Sequence, residues 1–215
     1  MANHRSQSAH SVRVEDIKHD FNRDGFIILQ EYLTPSELSE MRERTHRYMD
    51  GKADAAILKN LNKQDAWFQE QLVSGKHVPL IEALIEDRLV PATAAWFNKP
   101  PGNSSMLKPH FDAIGNPRRP RTGCTIWIAL DEADEQNGCL YYAKGSHQTK
   151  HDDSALYLDY DTHTDQAVAG VVAAGDAIIH SALTVHWSGE NRSIRSRRAI
   201  SYFYWGASSK LNSLG

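Results

Sequence analysis

The first half of the chain alternates helical and extended hydrophobic patterns. Apolar side chains recur at the spacing of one helix face over residues 14–21 and 35–49, and the short apolar run 26–29 between them predicts a strand. A second helical pattern covers residues 77–97 and stops at the segment 98–103, which is rich in Pro and Gly. Amphipathic helices of this kind are typical of a supporting scaffold, so the chemistry is expected elsewhere in the chain.

Beyond this segment the pattern changes to short runs of β-branched and aromatic residues, separated by turns rich in Gly, Asn and Asp. Short, closely spaced strands after a helical block favour a jelly roll with helices packed outside it. We therefore predict a mainly β fold with flanking helices (α+β), in which N-terminal helices support a double-stranded β-helix of the jelly-roll, cupin-like kind. The predicted strands are 123–130, 138–143, 167–174, 176–182 and 197–205.

The length of 215 residues predicts a single domain over residues 1–215. Residues 1–13 are polar and show no period, so we expect a flexible arm there. Residues 150–166 also lack a hydrophobic period. A loop of this length in a compact domain is often a lid, and we predict one here.

Composition and charge argue against several classes of protein, namely those that bind nucleic acid, span a membrane or depend on disulfides. The net charge of −3 provides no positive field for nucleic acid or an anionic membrane. No apolar run approaches the roughly 18 residues that span a bilayer, and the polar N-terminus is not expected to be a signal peptide. Cys124 and Cys139 are too few for a disulfide scaffold, so we expect reduced thiols. We expect a cytoplasmic monomer or small homo-oligomer that acts on a small molecule.

His110 and Asp112 are the first candidates for chemistry. If this stretch is extended, both side chains point to one face and Phe111 points to the other. One imidazole and one carboxylate hold a metal weakly, and on its own such a pair is more often structural. A third ligand would complete the 2-His-1-carboxylate triad that binds non-haem Fe(II), and the downstream chain offers His180 and His186.

Several arginines follow these histidines within the length of a strand. When an α-keto acid chelates iron, its far carboxylate still needs a fixed cation. Arginine meets a carboxylate with two parallel hydrogen bonds and keeps its charge. The candidates are Arg192, Arg195, Arg197 and Arg198.

Four segments of the chain, three of them long, point more specifically to one protein family. They are FNRDGFIILQEYLTPSEL (21–38), HFD (110–112), IWIALDEADEQNGCLYYAKGSH (126–147) and GDAIIHSALTVHWSGENRSIRSRRAI (175–200). Together they resemble the phytanoyl-CoA dioxygenase family of iron- and 2-oxoglutarate-dependent oxygenases. The resemblance covers residues 14–205, which is nearly the whole chain.

This resemblance implies an iron site and a 2-oxoglutarate site. The residues that match iron ligands are His110, Asp112 and His186, and those that match 2-oxoglutarate contacts are Arg197, Ser188 and Trp127. Arg197 and Ser188 correspond to the groups that share the far carboxylate, and Trp127 to an aromatic residue lining the pocket. A lysine of the segment "ILKNLNKQ", either Lys59 or Lys63, is a further candidate for a 2-oxoglutarate contact.

His180 departs from the family pattern. The family carries a histidine five residues before the distal iron ligand, where this chain has Ser181, and His180 lies one step earlier. In a regular strand that step places His180 on the opposite face. We therefore interpret His180 as a packing residue or a hydrogen-bond partner rather than as an iron ligand.

Arg198 competes with Arg197 for the carboxylate. With Arg197 inward, Ala199 and Ser201 share its face, and small residues suit a crowded pocket beside a cosubstrate. Arg198 inward would place two bulky residues there instead. We therefore prefer Arg197.

The resemblance implies that O₂ and 2-oxoglutarate are converted, with release of succinate and CO₂, while a substrate is oxidised. Asp112 fills the position that halogenating relatives leave to a small residue, so we expect hydroxylation, or a related oxidation, of a polar small molecule, in specialised metabolism. The five aspartates of residues 150–166 favour an amine-bearing or zwitterionic substrate, and the three arginines of residues 116–122 could hold a phosphate or carboxylate.

Two other classes of function remain open at this point. One is a metal-dependent cupin-like isomerase, or a dioxygenase that does not use 2-oxoglutarate. Such an enzyme would keep the histidines without needing Arg197. The other is a jelly roll that binds a small molecule without catalysis, which would need none of the predicted ligands.

Overall fold

Two antiparallel sheets lie face to face and enclose the space between them. The computed structural model describes residues 14–49, 56–102, 105–152 and 154–211, so the predicted arm 1–13 lies outside the described residues. The larger sheet has six strands and the smaller has four, and helices pack against the outer face of the larger one. The predicted jelly-roll core with flanking helices is confirmed.

Four helices and twelve strands, numbered along the chain, form among the described residues. The helices are α1 (Val14–Asp24), α2 (Pro35–Met49), α3 (Ala66–Ser74) and α4 (Val78–Ile85). In spatial order, the six-stranded sheet contains β1 (Phe26–Leu29), β9 (Ala177–Ser181), β6 (Gly123–Ala129), β11 (Arg197–Gly206), β3 (Leu89–Lys99) and β2 (Ile57–Lys59). The four-stranded sheet contains β4 (Leu107–His110), β10 (His186–Ser188), β7 (Leu140–Ala143) and β8 (Ala167–Gly170), while β5 (Arg118–Arg119) pairs with β12 (Lys210–Leu211). None of the helices described is both long and apolar enough to cross a membrane.

The central strand β6 shows how the larger sheet divides the core. Ile126 and Ile128 belong to the apolar cluster formed with the helices, while Trp127 and Ala129 pack toward the four-stranded sheet. All of β6 is buried because it is covered on both faces. The inner face of this sheet is therefore the one that can line an enclosed site.

The helix α2 begins where the sequence predicts. The backbone N–H of Thr34 donates to the Glu37 carboxylate at 2.7 Å, and the N–H of Glu37 donates to the Thr34 hydroxyl at 3.3 Å. This reciprocal capping box satisfies two amides that the helix itself leaves free. The buried residues of α2 are Met41, Thr45 and Met49, which belong to the predicted stripe.

The predicted helix over residues 77–97 is wrong in its second half. Helix α4 ends at Ile85, and β3 then pairs with β11 along its whole length. The strand has no period of two in the sequence, because the run LVPATAAWF is almost continuously apolar although only Ala94, Ala95 and Trp96 within it are buried. The short strands β2 and β10 are not predicted, because three residues are too few to show a period.

The loop over residues 150–166 forms no helix or strand in its described part, which omits Asp153. Its middle is attached to β4, because the N–H of Leu158 donates to the Pro109 carbonyl at 2.8 Å. Tyr157 consequently lies edge-on to the histidine that ends β4, with 6.3 Å between ring centres. Whether the loop acts as a lid stays a prediction.

Both cysteines are buried free thiols. Burial raises the pKa of the Cys139 thiol to about 12 and raises that of Cys124 as well. Both groups therefore stay protonated at neutral pH and act as small apolar side chains.

His77 joins the helices to the outer face of the sheet. Its Nε2 lies 2.6 Å from the Tyr204 hydroxyl and its Nδ1 lies 3.0 Å from the Tyr32 hydroxyl. Burial, reinforced by the neighbouring Lys76 ammonium, lowers the pKa of His77 to about 4. The ring is therefore neutral in the folded protein at pH 7.

We expect His77 to make the fold sensitive to acid. The unfolded chain binds a proton near pH 6.5, whereas folded His77 binds one only near pH 4. The stabilisation of the fold by neutral His77 is therefore present above pH 6.5. As the pH falls from 6.5 to 4, the free energy of unfolding should decrease by about 3 kcal/mol. Urea unfolding at several pH values should show a smaller loss in His77→Gln, which keeps a donor and an acceptor. The exposed-site control His19→Gln should follow the wild type, and equal pH slopes in all three proteins would refute this role.

Candidate active site

The neighbouring strands β4 and β10 bring the predicted iron ligands together. They pair antiparallel, with His186 directly opposite His110 although the two are far apart in the chain. Asp112 lies in a turn just after β4, so the extended stretch predicted from the sequence ends at His110. Phe111 points into a separate apolar cluster. A turn, rather than strand alternation, therefore carries the carboxylate to the two imidazoles.

The potential ligand atoms of His110, Asp112 and His186 are close enough together to bind a single metal ion. One potential ligand atom from each lies within 4.8 Å of the other two, and His186 Nε2 is 3.8 Å from Asp112 Oδ1. Because a carbonyl only accepts, Nδ1–H of His110 donates to the Lys108 carbonyl at 2.9 Å and Nδ1–H of His186 donates to the Thr184 carbonyl at 3.0 Å. Each Nε2 therefore keeps its lone pair for a metal.

The charge state of the cluster favours a divalent metal. Burial, followed by the neighbouring His110 and His180 rings, lowers the pKa of His186 to about 3, so this imidazole is neutral. Burial alone would raise the pKa of Asp112, but the hydrogen bond from His180 and the nearby imidazoles outweigh burial and hold this pKa well below its ordinary value. Two nitrogens and one anionic oxygen form the donor set that suits Fe(II) and leaves positions open for other ligands.

A cavity of about 220 Å³ opens beside these three residues. Its walls come from the inner face of the six-stranded sheet and from β4 and β10. The volume is below the roughly 300–1,000 Å³ of typical ligand pockets, so it suits a small ligand. Besides the three residues, the lining includes Lys59, Thr93, Phe97, Trp127, Arg197 and Ser201.

Arg197 is a buried cation in the wall of this cavity. It is 4 % exposed, its Nε has no hydrogen-bond partner, and it forms no ion pair with any carboxylate among the residues described. Its Cζ lies 5.4 Å from the centre of the Trp127 ring. Burial lowers the pKa of Arg197 to about 10, which still leaves it charged at neutral pH. Because an unpaired buried charge is costly, this position fits a ligand that brings its own carboxylate.

Lys99 is a functional candidate that sequence reasoning missed. It lies directly opposite Arg197 across β3 and β11 and is 7 % exposed. Its ammonium donates to the Ser188 hydroxyl at 2.9 Å and to the Gly189 carbonyl, and burial, followed by the charge of Arg197, lowers its pKa to about 8. Its place in a segment rich in Pro and Gly concealed it. The only available signal is that it continues the inward alternation of β3.

Arg197 and Arg198 point to opposite sides of β11, and the structure places Arg198 outside. Arg198 forms a two-pronged ion pair with Asp131, with N–O distances of 2.7 and 2.8 Å. Ser188 lines a smaller adjoining cavity of about 140 Å³, which shares Arg197 with the larger one. The serine and the arginine are therefore brought to one end of the site.

The loops expected to recognise a substrate do not line the cavity. No aspartate from the described part of residues 150–166 is among its lining residues. The arginines of residues 116–122 donate to carbonyl groups of their own loop and of Ser209. Of the two candidate lysines, Lys59 lines the cavity, whereas Lys63 is not among the lining residues in the described chain.

The prediction that His180 faces away from the site is wrong. Its ring lines the cavity, and its Nε2 donates to Asp112 Oδ2 at 3.1 Å, so the expected hydrogen-bonding role is the one observed. Thr125, directly opposite His180 across β6 and β9, donates to the same oxygen. A single threonine in an apolar strand carries no signal of this role in the sequence.

Comparison with known proteins identifies a family. The family model for phytanoyl-CoA dioxygenase (PhyH) matches residues 21–199. This range includes the three candidate ligands and Arg197, and the resemblance inferred from the sequence is confirmed.

Curated relatives share a modest part of their sequence with this chain. Phytanoyl-CoA dioxygenase 1 of Oryza sativa subsp. japonica is 27 % identical over 150 residues, an alignment that covers 66 % of this chain and 53 % of that protein. The peroxisomal phytanoyl-CoA dioxygenase of Rattus norvegicus is 26 % identical over 229 residues, covering 88 % and 68 % respectively. The matched part of the chain thus spans about half the length of the rice relative.

Solved structures share the fold. EctD from S. alaskensis, solved with 2-oxoglutarate and 5-hydroxyectoine, superposes with a TM-score of 0.82 at 16 % identity, covering 97 % of this chain and 82 % of that one. EvdO2 from Micromonospora carbonacea var. aurantiaca, solved with 2-oxoglutarate, gives 0.77 at 24 % identity, covering 97 % and 96 %.

We predict that the protein binds one Co(II) ion, used as an air-stable substitute for Fe(II), per chain. Asp112→Ala removes the anionic ligand and should weaken binding beyond the roughly 10- to 100-fold that loss of a ligand's hydrogen-bond partner costs. Calorimetric titration of the metal-free protein measures the affinity. Asp159→Asn, in the exposed loop, should bind like the wild type, and unchanged binding by Asp112→Ala would place the metal elsewhere.

Proposed function

The chain belongs to the phytanoyl-CoA dioxygenase family, and on that premise we propose that it is an Fe(II)- and 2-oxoglutarate-dependent oxygenase that hydroxylates a polar small molecule. The observation that carries this proposal is Arg197, a buried and unpaired cation lining the same cavity as the 2-His-1-carboxylate cluster. A metal site that needed no keto acid would have no use for that cation.

Each part of the cluster has a distinct task in this proposal. His110 and His186 bind the metal through Nε2, since their Nδ1 atoms are engaged with backbone carbonyls. Asp112 supplies the negative charge. Bound iron supplies the activation of O₂ that turns 2-oxoglutarate into succinate and CO₂ and oxidises the substrate. Three protein ligands leave the remaining positions to small molecules.

The far carboxylate of 2-oxoglutarate would lie on Arg197. The guanidinium can donate two parallel hydrogen bonds to it, and the Trp127 ring supports the guanidinium from one side. Ser188 is the second contact. Because its oxygen already accepts from Lys99, its own hydrogen is free to be donated to the carboxylate.

The substrate would lie at the end of the cavity lined by Lys59, Thr93 and Phe203, because Thr93 and Phe203 pair on β3 and β11 six residues from the Lys99–Arg197 pair. The small volume leaves little room beyond the cosubstrate, so the substrate would lie partly outside the cavity. No aspartate in the described part of residues 150–166 lines the cavity, so this loop gives no support to an amine-bearing substrate. A polar molecule with its reacting C–H bond directed at the metal is the class that we propose. Asp112 occupies the place that a halide would need, which supports hydroxylation.

We predict that the protein, with Fe(II) and 2-oxoglutarate under air, releases succinate. Without O₂, the same mixture should show the weak visible absorption of a keto acid that chelates iron. Polar metabolites that raise the rate of succinate release identify the substrate. Mass spectrometry then separates the gain of one oxygen from the loss of two hydrogens. If the metal-loaded protein shows no such absorption and also releases no succinate, the proposed oxygenase activity is ruled out.

We also predict that Arg197→Leu weakens 2-oxoglutarate binding by at least about 100-fold, because it removes two charged hydrogen bonds. Co(II) affinity should stay at the wild-type value, since the arginine is not a ligand. Arg198→Leu is the matched control, because it removes the neighbouring cation on the outer side of β11. Titration of the Co(II)-loaded proteins with 2-oxoglutarate decides between them, and equal weakening in both variants would show a general effect on β11.

A further inference from the structure

The two oxygens of the Asp112 carboxylate lie in different surroundings. Oδ2 accepts hydrogen bonds from the Thr125 hydroxyl and from His180 Nε2, the latter at 3.1 Å. Oδ1 faces His186 Nε2 at 3.8 Å. Oδ2 is thus held by two hydrogen bonds from the protein, while Oδ1 faces the candidate metal ligand His186.

The strand register explains why both donors reach one oxygen. Thr125 and His180 are direct partners across β6 and β9, so their side chains leave the sheet side by side on its inner face. Asp112 approaches that face from the turn after β4. The six-stranded sheet therefore fixes the carboxylate, while the four-stranded sheet carries the two imidazoles.

The two ring nitrogens of His180 have different partners, the Asp112 carboxylate at Nε2 and a buried tyrosine hydroxyl at Nδ1. The Tyr142 hydroxyl lies 3.2 Å from His180 Nδ1, and Tyr142 is fully buried and stacked on Phe26, with ring centres 4.6 Å apart. An ionised carboxylate only accepts, so the hydrogen of His180 must be on Nε2. Nδ1 on the far side of the ring lies at the tyrosine hydroxyl. The Asp112 carboxylate and the Tyr142 hydroxyl therefore orient the His180 ring from its two sides.

We propose that Thr125 and His180 are positioning residues that hold Asp112 as a one-oxygen metal ligand through Oδ1. This inference rests on the proposed function, because it concerns the ligand set of that metal. With both donors on Oδ2, its lone pairs are engaged and it does not join Oδ1 on the metal. One more coordination position is thereby kept for 2-oxoglutarate or O₂.

His180 does not act as a fourth ligand in this arrangement. Its Nε2 carries the hydrogen donated to Asp112 and has no lone pair to offer, while Nδ1 is directed at the tyrosine hydroxyl. The set of side chains whose ligand atoms lie within 4.8 Å of one another, among the residues described, contains His110, Asp112 and His186 without it.

The test compares two titrations of the same proteins: the metal-free chain with Co(II), and the Co(II)-loaded chain with 2-oxoglutarate. The variants Thr125→Val and His180→Leu each remove one donor, and the double variant removes both. Thr125→Ser keeps the hydroxyl. His180→Gln keeps an N–H donor, since its amide nitrogen lies as many bonds from Cα as Nε2 of histidine does.

In the double variant, we expect the second carboxylate oxygen to bind the metal and to compete with 2-oxoglutarate. The affinity of the loaded protein for 2-oxoglutarate should fall by more than the affinity for Co(II), for which the loss of a ligand's hydrogen-bond partners ordinarily costs about 10- to 100-fold. Co(II) affinity should fall by less, and the visible Co(II) spectrum should change before any 2-oxoglutarate is added. The Ser and Gln variants should restore the wild-type values.

Other outcomes are equally informative. Wild-type 2-oxoglutarate affinity in a double variant that binds Co(II) overturns the positioning role. Loss of Co(II) and 2-oxoglutarate binding in equal proportion, with a lowered melting temperature, also overturns it, because it indicates a structural role alone. If the wild-type chain binds no Co(II), the proposed function fails before this comparison begins.

Discussion

The pairing of His186 with His110 across β4 and β10 is the contact on which the site depends. It aligns two imidazoles from distant parts of the chain, and the turn after β4 then brings Asp112 to them. The facing sheet completes the arrangement, because Thr125 and His180 meet the carboxylate from its inner surface. A shift of one residue in either sheet would reverse which side chains face the cavity. The arrangement of the three side chains thus depends on sheet register together with the turn after β4.

The second constraint on the structure is the burial of two positively charged side chains at one end of the cavity. Lys99 and Arg197 lie opposite each other on neighbouring strands, and neither forms an ion pair with a carboxylate in the described chain. Like charges placed in this way destabilise a sheet, and burial adds to the penalty. The extensive apolar cluster between the helices and the outer face of the sheet can offset this cost. A dicarboxylate cosubstrate bound at Arg197 would relieve it, so folding and ligand binding would be coupled at this end of the cavity.

The parts of the site that the sequence predicts are those carried by local spacing or by a family motif. His110, Asp112, His186 and Arg197 belong to this group, and both the family motif and strand alternation favour Arg197 over Arg198. The roles of Thr125 and Lys99 could not be predicted, because they depend on which residue lies opposite on a distant strand. Strand β3 could not be recognised either, because its apolar residues run almost without interruption from Leu89 to Phe97 and show no period of two. His180 was assigned the correct interaction but the wrong face, because a turn separates β9 from β10 and strand alternation does not extend from His180 to His186.

A crystal structure of the protein with Fe(II) and 2-oxoglutarate, grown without O₂, tests the central claim most directly. We expect an anomalous iron peak bonded to His110 Nε2, Asp112 Oδ1 and His186 Nε2, with the far carboxylate of 2-oxoglutarate on Arg197. An iron peak away from these three atoms, or a bound 2-oxoglutarate that does not contact Arg197, would contradict it.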